Sequence, residues 1–411
     1  MAVVTVCRVP TPQDLLAELA RGHRAPRLRH VAHRPERAAA WAEWPPWISP
    51  VVVGAFTGAG AGRLWSHQRT ALDLIGQRRH TVLATGTASG KSLAYLAPAL
   101  SWAQEGSFDP GGRGATVLYL SPTKALAADQ LTRIEALAVP GVRAATYDGD
   151  TPPDERRWVR DHANIVLSNP DLLHHSLLPG HERWSRFLRS LKLVVIDECH
   201  TYRGVFGTHV SAVLRRLTRI CARYGAQPTF VLASATVAAP AEHASALIGM
   251  PCTAVVDDGS PRAGLTLAFW EPPTIEGARR SATTEAAELL SELVARQVQT
   301  VAFARSRAGV EALATSARRR LEELDPTAVE RVAAYRGGYL PAERRTLEAD
   351  LRSGRILGLA ATNALELGVD VRGLDAVIVA GWPGRRASLW QQVGRAGRTG
   401  TDALAVFVAA D

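Results

Sequence analysis

Two series of short apolar runs constrain this chain more than any other feature of its sequence. From about residue 64, runs of four to six residues rich in Val, Leu and Ile alternate with helical stretches. The first series is Thr81–Ala84, Thr116–Leu120, Ile165–Ser168, Leu193–Ile196 and Thr229–Ala233. Leu265–Trp270 leads into a second: Thr300–Ala304, Ile356–Ala361, Ala376–Ala380 and Ala403–Val408. Near-continuous apolar strands between helices indicate parallel sheets covered on both faces, an α/β architecture. Between the series lies a turn-rich boundary, Asp257-Asp258-Gly259-Ser260-Pro261. The expected organisation is an N-terminal accessory segment at 1–60, a first domain at 61–256, a linker at 257–264 and a second domain at 265–411.

Composition narrows the setting. The net charge of +9 is carried almost entirely by arginine, and a basic surface suits a polyanionic partner. No apolar run reaches the roughly 20 residues a membrane span needs. The N-terminus has no export-signal pattern. Cys7, Cys199, Cys221 and Cys252 are scattered, without metal or disulfide spacing, which fits a reducing cytoplasm. In the N-terminal segment, Leu15–Leu19 reads as a short helix. Trp41, Trp44 and Trp47, with Pro45 and Pro46, read as an aromatic stretch that packs on the next domain, with nucleobase stacking as the alternative. Only three lysines occur, Lys91, Lys124 and Lys192, and only three asparagines, Asn164, Asn169 and Asn363. Arginine does not replace a compact ammonium between phosphates, so a position that kept lysine is a candidate for function.

Thr85-Gly86-Thr87-Ala88-Ser89-Gly90-Lys91-Ser92 follows a strand and precedes an apolar helix, the context a phosphate loop requires. Backbone N–H groups there cradle phosphates. Lys91 reaches the β/γ-phosphates, and Ser92 helps to hold Mg²⁺. The loop departs from G-x-x-x-x-G-K-S/T, because Thr85 stands where the first Gly belongs. About a hundred residues later, the strand Leu193–Ile196 ends in Asp197-Glu198-Cys199-His200. Adjacent carboxylates at the carboxyl edge of a sheet lie where α/β ligand sites form. Asp197 is the candidate Mg²⁺ ligand and Glu198 the base for the attacking water. His200 is the candidate reporter of the γ-phosphate state.

These strings resemble the motifs of superfamily 2 helicases of the DExH type, and seven further motifs stand in that family's order over residues 64–398. The resemblance implies two tandem RecA-like domains and ATP with Mg²⁺ as cofactors. Trp65-Ser66-His67-Gln68 is similar to the element whose Gln reads adenine. Ser121-Pro122-Thr123-Lys124-Ala125-Leu126 and Ser168-Asn169-Pro170-Asp171 resemble motifs on the strand backbone, which implicates Pro122, Thr123, Lys124, Asn169, Pro170 and Asp171. Ser234-Ala235-Thr236 resembles the coupling motif. Phe303-Ala304-Arg305-Ser306-Arg307 looks like the first nucleic-acid motif of the second lobe, with Arg305 and Ser306 as contacts. Ala361-Thr362-Asn363-Ala364-Leu365-Glu366-Leu367-Gly368-Val369-Asp370 resembles the motif that touches both backbone and nucleotide, through Thr362, Asn363 and Asp370. Gln391-Gln392-Val393-Gly394-Arg395-Ala396-Gly397-Arg398 resembles the last motif, with Gln391 in coupling and Arg395 and Arg398 as fingers on the γ-phosphate. Lys192 and Asn164 fall outside the motifs and read as ordinary positions.

A narrower resemblance rests on His200-Thr201-Tyr202-Arg203-Gly204-Val205-Phe206-Gly207, Gly338-Tyr339-Leu340-Pro341-Ala342-Glu343-Arg344-Arg345 and Trp390-Gln391-Gln392. Together they look like the bacterial mitomycin repair factor A (MrfA/YprA) group, relatives of a fungal RecQ4-like helicase. That resemblance implies a cytoplasmic, nucleoid-associated 3′→5′ DNA helicase of repair, acting on single-stranded or tailed duplex DNA. The group continues into a four-cysteine zinc region. This sequence stops at Asp411 without it, so the chain reads as a fragment and no zinc site is carried over. The expected cycle closes two lobes on ATP·Mg²⁺ and moves a strand by alternating grip. The residues alone leave open an RNA substrate, or a nucleic-acid-stimulated ATPase that clamps without unwinding. They also leave open whether Tyr202 and Phe206 stack on a base beside Arg203 or pack a helix starting near Thr208.

Overall fold

The computed structural model describes residues 11–86, 88–108, 112–235, 238–336, 339, 341–362, 374–397 and 402–410. The chain forms two compact units, Ala39–Ser260 and the combination of Met1–Ala38 with Pro261–Asp411. In chain order the strands of their main sheets are β1 (Leu28–Arg34), β2 (Thr81–Leu83), β3 (Thr116–Leu120), β4 (Ala144–Thr146), β5 (Ile165–Ser168), β6 (Leu191–Ile196), β7 (Thr229–Ala233), β8 (Thr253–Val255), β9 (Leu265–Trp270), β10 (Thr300–Phe303), β11 (Val332–Tyr335), β12 (Gly358–Ala361), β13 (Ala376–Ala380) and β14 (Ala403–Val408).

The sheet of the first lobe runs β8-β2-β7-β6-β3-β5-β4, and every pair in it is parallel. Successive side chains of a strand point to opposite faces. Val117, Tyr119, Leu193, Val195 and Val231 therefore enter one core layer, while Leu118, Leu120, Val194, Ile196 and Leu232 enter the other. Because both faces are covered by helices, the strands read as unbroken apolar runs. The second lobe runs β1-β9-β14-β13-β10-β12-β11, parallel throughout except for β1 at its edge. Strands β4, β8 and β11 carry no strong signal in the sequence, being three or four residues long and built mostly of Ala, Val and Thr.

The expected accessory segment at 1–60 is not one piece. Residues 28–34 pair antiparallel with β9, from Leu28↔Trp270 to Arg34↔Leu265, and so complete the sheet of the second lobe. The helix Pro12–Leu19 buries Leu15, Leu16 and Leu19 in that lobe's core. Residues 39–60 instead belong to the first lobe. Trp41–Ala42 pairs with Leu64–Trp65. Trp44 and Trp47 pack on the first core, Trp47 stacked on Trp102 at 5.6 Å, while Trp41 stays exposed under Arg63. The change of lobe between Ser260 and Pro261 falls within the expected linker.

Candidate nucleotide and nucleic-acid site

Parallel strands bring their carboxyl ends to one edge, where ligands of open α/β sheets bind. On the first lobe that edge carries, from neighbouring strands, the phosphate loop after β2, Ser234-Ala235 after β7, Asp197-Glu198 after β6, Ser121–Lys124 after β3 and Asn169–Asp171 after β5. The sheet order thus sets the candidate nucleotide residues side by side on β2, β7 and β6. The candidate strand contacts sit on the adjoining pair, β3 and β5.

The loop explains its own departure from the usual pattern. Thr85 and Ser89 are both buried, and their hydroxyls bond at 2.6 Å, closing the base of the loop. Thr85 does not need the left-handed conformation; Ala88 (φ 61°) and Gly90 (φ 65°) adopt it. At Gly90 a Cβ would lie 2.6 Å from Gln68 Nε2 and 2.8 Å from the Trp65 ring, so this position demands glycine. Gly90 caps the helix Lys91–Gln104, whose first turn presents Lys91 and Ser92. Lys91 Nζ donates to the carbonyls of Thr85 (3.1 Å) and Gly86 (2.7 Å), across the hollow of the loop. Thr87 lies outside the described residues.

Gln68 is buried, and its amide is bonded at both ends. Its Oε1 accepts from Trp65 N (2.9 Å) and its Nε2 donates to Gly90 O (3.0 Å). In this structure Gln68 braces the loop, and its amide keeps a second N–H and a second oxygen lone pair for a further partner. His67 was not singled out by the sequence, yet it ties the loop to the end of the lobe. Its Nδ1 accepts from Gly259 N at 3.2 Å, which leaves Nε2 to donate to Ser89 O at 2.8 Å. Beside it, Gly86 N donates to Asp258 Oδ2 (3.3 Å).

Asp197 is buried at the end of β6. Its Oδ1 accepts from Glu198 N at 2.9 Å, and its Oδ2 accepts from the phenols of Tyr119 (2.6 Å) and Tyr95 (3.0 Å). The Tyr95 oxygen also lies 3.2 Å from Ser92 Oγ, so one phenol bridges the two candidate metal donors. Burial, and then the Glu198 carboxylate beside it, push Asp197 above the usual carboxylate range, against the pull of the two phenols. Among the described residues no three His, Cys, Asp or Glu side chains gather to hold a metal. One carboxylate and one hydroxyl instead suit Mg²⁺, which keeps several waters and binds substrate phosphates.

Glu198 sits in the left-handed region (φ 48°), a sparsely populated conformation for a residue with a side chain and one that clusters at functional sites. His200 Nδ1 is 3.1 Å from Glu198 Oε2 and 3.3 Å from Ala235 N. Ser234 Oγ donates to Ala235 O at 2.7 Å. The acid, the histidine and the candidate coupling residues Ser234 and Ala235 are therefore contiguous; Thr236 lies outside the described residues. Tyr202 lies in the core with its ring 5.6 Å from that of Phe206, while Arg203, Val205 and Phe206 are exposed. The helix begins at Gly204, four residues before the expected start.

On the strand half of the edge, Thr123 caps the helix Lys124–Ala136 through Leu126 N, and Asn169 Oδ1 caps the next turn through Leu172 N at 2.9 Å. Pro122 is half-buried, Pro170 is buried and Asp171 is exposed. Lys124 is exposed and pairs with Asp150 at 2.6 Å, a bond that holds its ammonium above the ordinary value. In the second lobe Arg305 and Ser306 are exposed after β10, and Ser306 caps the helix Arg307–Leu324 through Gly309 N. Thr362 follows β12; Gln391 is buried in the helix Arg386–Val393, and Arg395 lies half-buried in the turn after it. Asn363, Asp370 and Arg398 lie outside the described residues.

Two family models match the chain, DEAD/DEAH box helicase over residues 65–244 and helicase conserved C-terminal domain over 285–400. The chain belongs to the DEAD/DEAH box helicases. Similar curated helicases include the uncharacterized ATP-dependent helicase YprA of Bacillus subtilis, 44% identical over 368 residues, a match covering 88% of this chain and 48% of that one. The ATP-dependent helicase HRQ1 of Saccharomyces cerevisiae is 37% identical over 401 residues, covering 94% of this chain and 36% of its own. The chain thus spans half or less of the length of these helicases. Among solved structures, the DUF1998 helicase MrfA bound to DNA superposes with a TM-score of 0.89 at 40% identity, over 97% of this chain and 53% of that one. Mss116p bound to single-stranded RNA shares 17% identity at a TM-score of 0.69, a likeness of fold alone. Tyr95 and Tyr119, which bond Asp197, are residues of this site that the motifs did not single out. Their signal was a phenol at a fully buried position, which needs a partner for its hydroxyl.

Proposed function

We propose that this chain is the ATP-driven motor of a DNA helicase, coupling ATP hydrolysis to 3′→5′ movement along single-stranded DNA and to unwinding in DNA repair. The observation that carries this reading is the run of contacts Lys91–loop, Asp197–Tyr95–Ser92 and Glu198–His200–Ala235 along one sheet edge. Lys91 exchanges its two carbonyl bonds for phosphate oxygens. Ser92 and Asp197 hold Mg²⁺, which when bound screens the phosphates and polarises the bond that breaks. Glu198 orients the attacking water and takes its proton. His200 conveys the state of Glu198 to Ser234-Ala235. Arg395 and Arg398 act as the finger arginines. Thr123, Lys124, Asn169, Arg305, Ser306 and Thr362 grip the strand through its backbone, with little sequence preference.

The choice of DNA is supported by the MrfA neighbours, which are described as bound to DNA, one of them with AMPPNP as well. No helix among the described residues is long and apolar enough to cross a membrane. A cytoplasmic, nucleoid-associated setting follows as part of the same proposal.

The test is steady-state ATP hydrolysis with matched single-stranded DNA and RNA, beside displacement of a strand from 3′-tailed and 5′-tailed duplexes. DNA is expected to stimulate more than RNA, and the 3′ tail alone to support displacement. Lys91→Ala is expected to abolish both activities. DNA-stimulated turnover without displacement from either tail would make the chain a clamp rather than a motor.

A further inference from the structure

Asp197 is held from behind by two residues that no motif assigns. Tyr95 stands one turn into the helix after the phosphate loop, and Tyr119 stands on β3, the strand next to β6. Both are fully buried, and both phenols lie within hydrogen-bond distance of the same oxygen, Oδ2. An ionised carboxylate only accepts, so both phenols donate to it. With Glu198 N on Oδ1, three bonds fix the plane of the carboxylate. We propose that Tyr95 and Tyr119 are positioning residues for the metal: they lock Oδ2 so that the other oxygen, Oδ1, is presented to Mg²⁺.

Two observations distinguish this from ordinary packing, and one general argument supports it. A phenol in a core needs one acceptor, and any nearby backbone carbonyl serves. Here two phenols from different elements converge on one carboxylate oxygen. Tyr95 also reaches Ser92 Oγ, so one ring spans both candidate donors. Finally, each phenol replaces water that a buried carboxylate has lost, and partners of this outer kind set the orientation of a metal ligand. Tyr119 at 2.6 Å makes the shorter bond, and its loss is expected to have the larger effect.

The inference rests on the reading of Asp197 as the Mg²⁺ ligand, and the experiment separates the two. The affinity of a fluorescent non-hydrolysable ATP analogue is measured by titration in EDTA and over a range of Mg²⁺ concentrations. Proteins compared are the wild type, Tyr95→Phe, Tyr119→Phe, Asp197→Ala, and each Phe variant combined with Asp197→Ala. Phenylalanine keeps the ring and removes only the hydroxyl, and melting temperature confirms the fold. Asp197→Ala is expected to remove the gain in affinity that Mg²⁺ confers. Each Phe variant is expected to raise the half-saturating Mg²⁺ about 10-fold or more, the effect typical of partners behind a metal ligand. Affinity in EDTA should stay unchanged, and neither substitution should add anything in the Asp197→Ala background. Unchanged Mg²⁺ dependence in both Phe variants overturns the proposal. So does an equal loss of affinity in EDTA, or full additivity with Asp197→Ala, since either marks general packing. If Asp197→Ala itself keeps the Mg²⁺ gain, the metal assignment fails instead.

Discussion

At the scale of single residues, Asn164 carries more of the first lobe than its place outside the motifs suggests. It is fully buried. Its Nδ2 sits among the carbonyls of Ala103 (3.1 Å), Arg113 (3.1 Å) and Gly141 (2.9 Å), and its Oδ1 accepts from Arg143 N (2.7 Å). One amide thereby joins the end of the helix behind the phosphate loop to two connections at the opposite edge of the sheet. A buried polar group left without its partner costs about 1–3 kcal/mol. Asn164→Ala strands several such groups and is expected to cost about 2–4 kcal/mol, read as a lower urea midpoint with an unchanged slope. Asn164→Asp, which sets carboxylate oxygens against three carbonyls, should be at least as damaging at neutral pH. A midpoint within error of wild type for both variants would show that the amide is dispensable. Scarcity of lysine and asparagine in the sequence singled out Lys91, which does line the loop, but it passed over Asn164. The partners of Asn164 come from positions 21 to 61 residues away, and no local pattern records such a convergence.

At the scale of elements, the N-terminal arginines join two segments of the second lobe that lie far apart in sequence. Arg24 pairs with Glu288 and Glu292, Arg27 with Glu285, and Arg280 with both Glu285 and Glu288. Glu285 is buried and also accepts from Trp270 Nε1 at 2.7 Å. The acids recur at intervals of three and four on the helix Ala282–Ala295, and so share one face. That pattern, set against Arg24 and Arg27, was the available signal that residues 22–34 belong to the second lobe. It was hidden because β1 is polar and exposed along most of its length, as an edge strand should be. Burial raises the Glu288 carboxyl, but the Arg280 hydrogen bond and the charges of Arg24, Arg280 and Arg27 outweigh it and hold the group below its ordinary value. A carboxyl depressed on folding adds stability above its unfolded pKa, and that stability fades as pH falls through the folded value. Arg24→Ala is therefore expected to lower the stability of the second lobe by about 2–4 kcal/mol at pH 7. The difference from wild type should shrink as the pH drops from about 4.3 toward 3. Thermal unfolding at pH 7, 4 and 3 checks this, and a difference equal at all three would exclude an ionic origin.

At the scale of the whole molecule, both parallel sheets were legible because strands buried on two faces leave unbroken apolar runs. Strand order was not, since it depends on which helices cross which face. The two-unit division was legible at Ser260 and illegible at Ala38. The chain starts in one unit, builds the other from Ala39 to Ser260, and returns. The outgoing and returning segments are bonded side by side, Arg37 N to Arg262 O at 2.8 Å and Arg262 N to Arg37 O at 2.9 Å. In the terms of split proteins, this makes the molecule self-splinting. A cut between Ser260 and Pro261 yields a larger piece that still owns a strand and an ion-paired segment of the smaller one. Co-expressed pieces 1–260 and 261–411 should therefore copurify, held by strand donation along β9, and removing residues 1–38 from the larger piece should weaken that association.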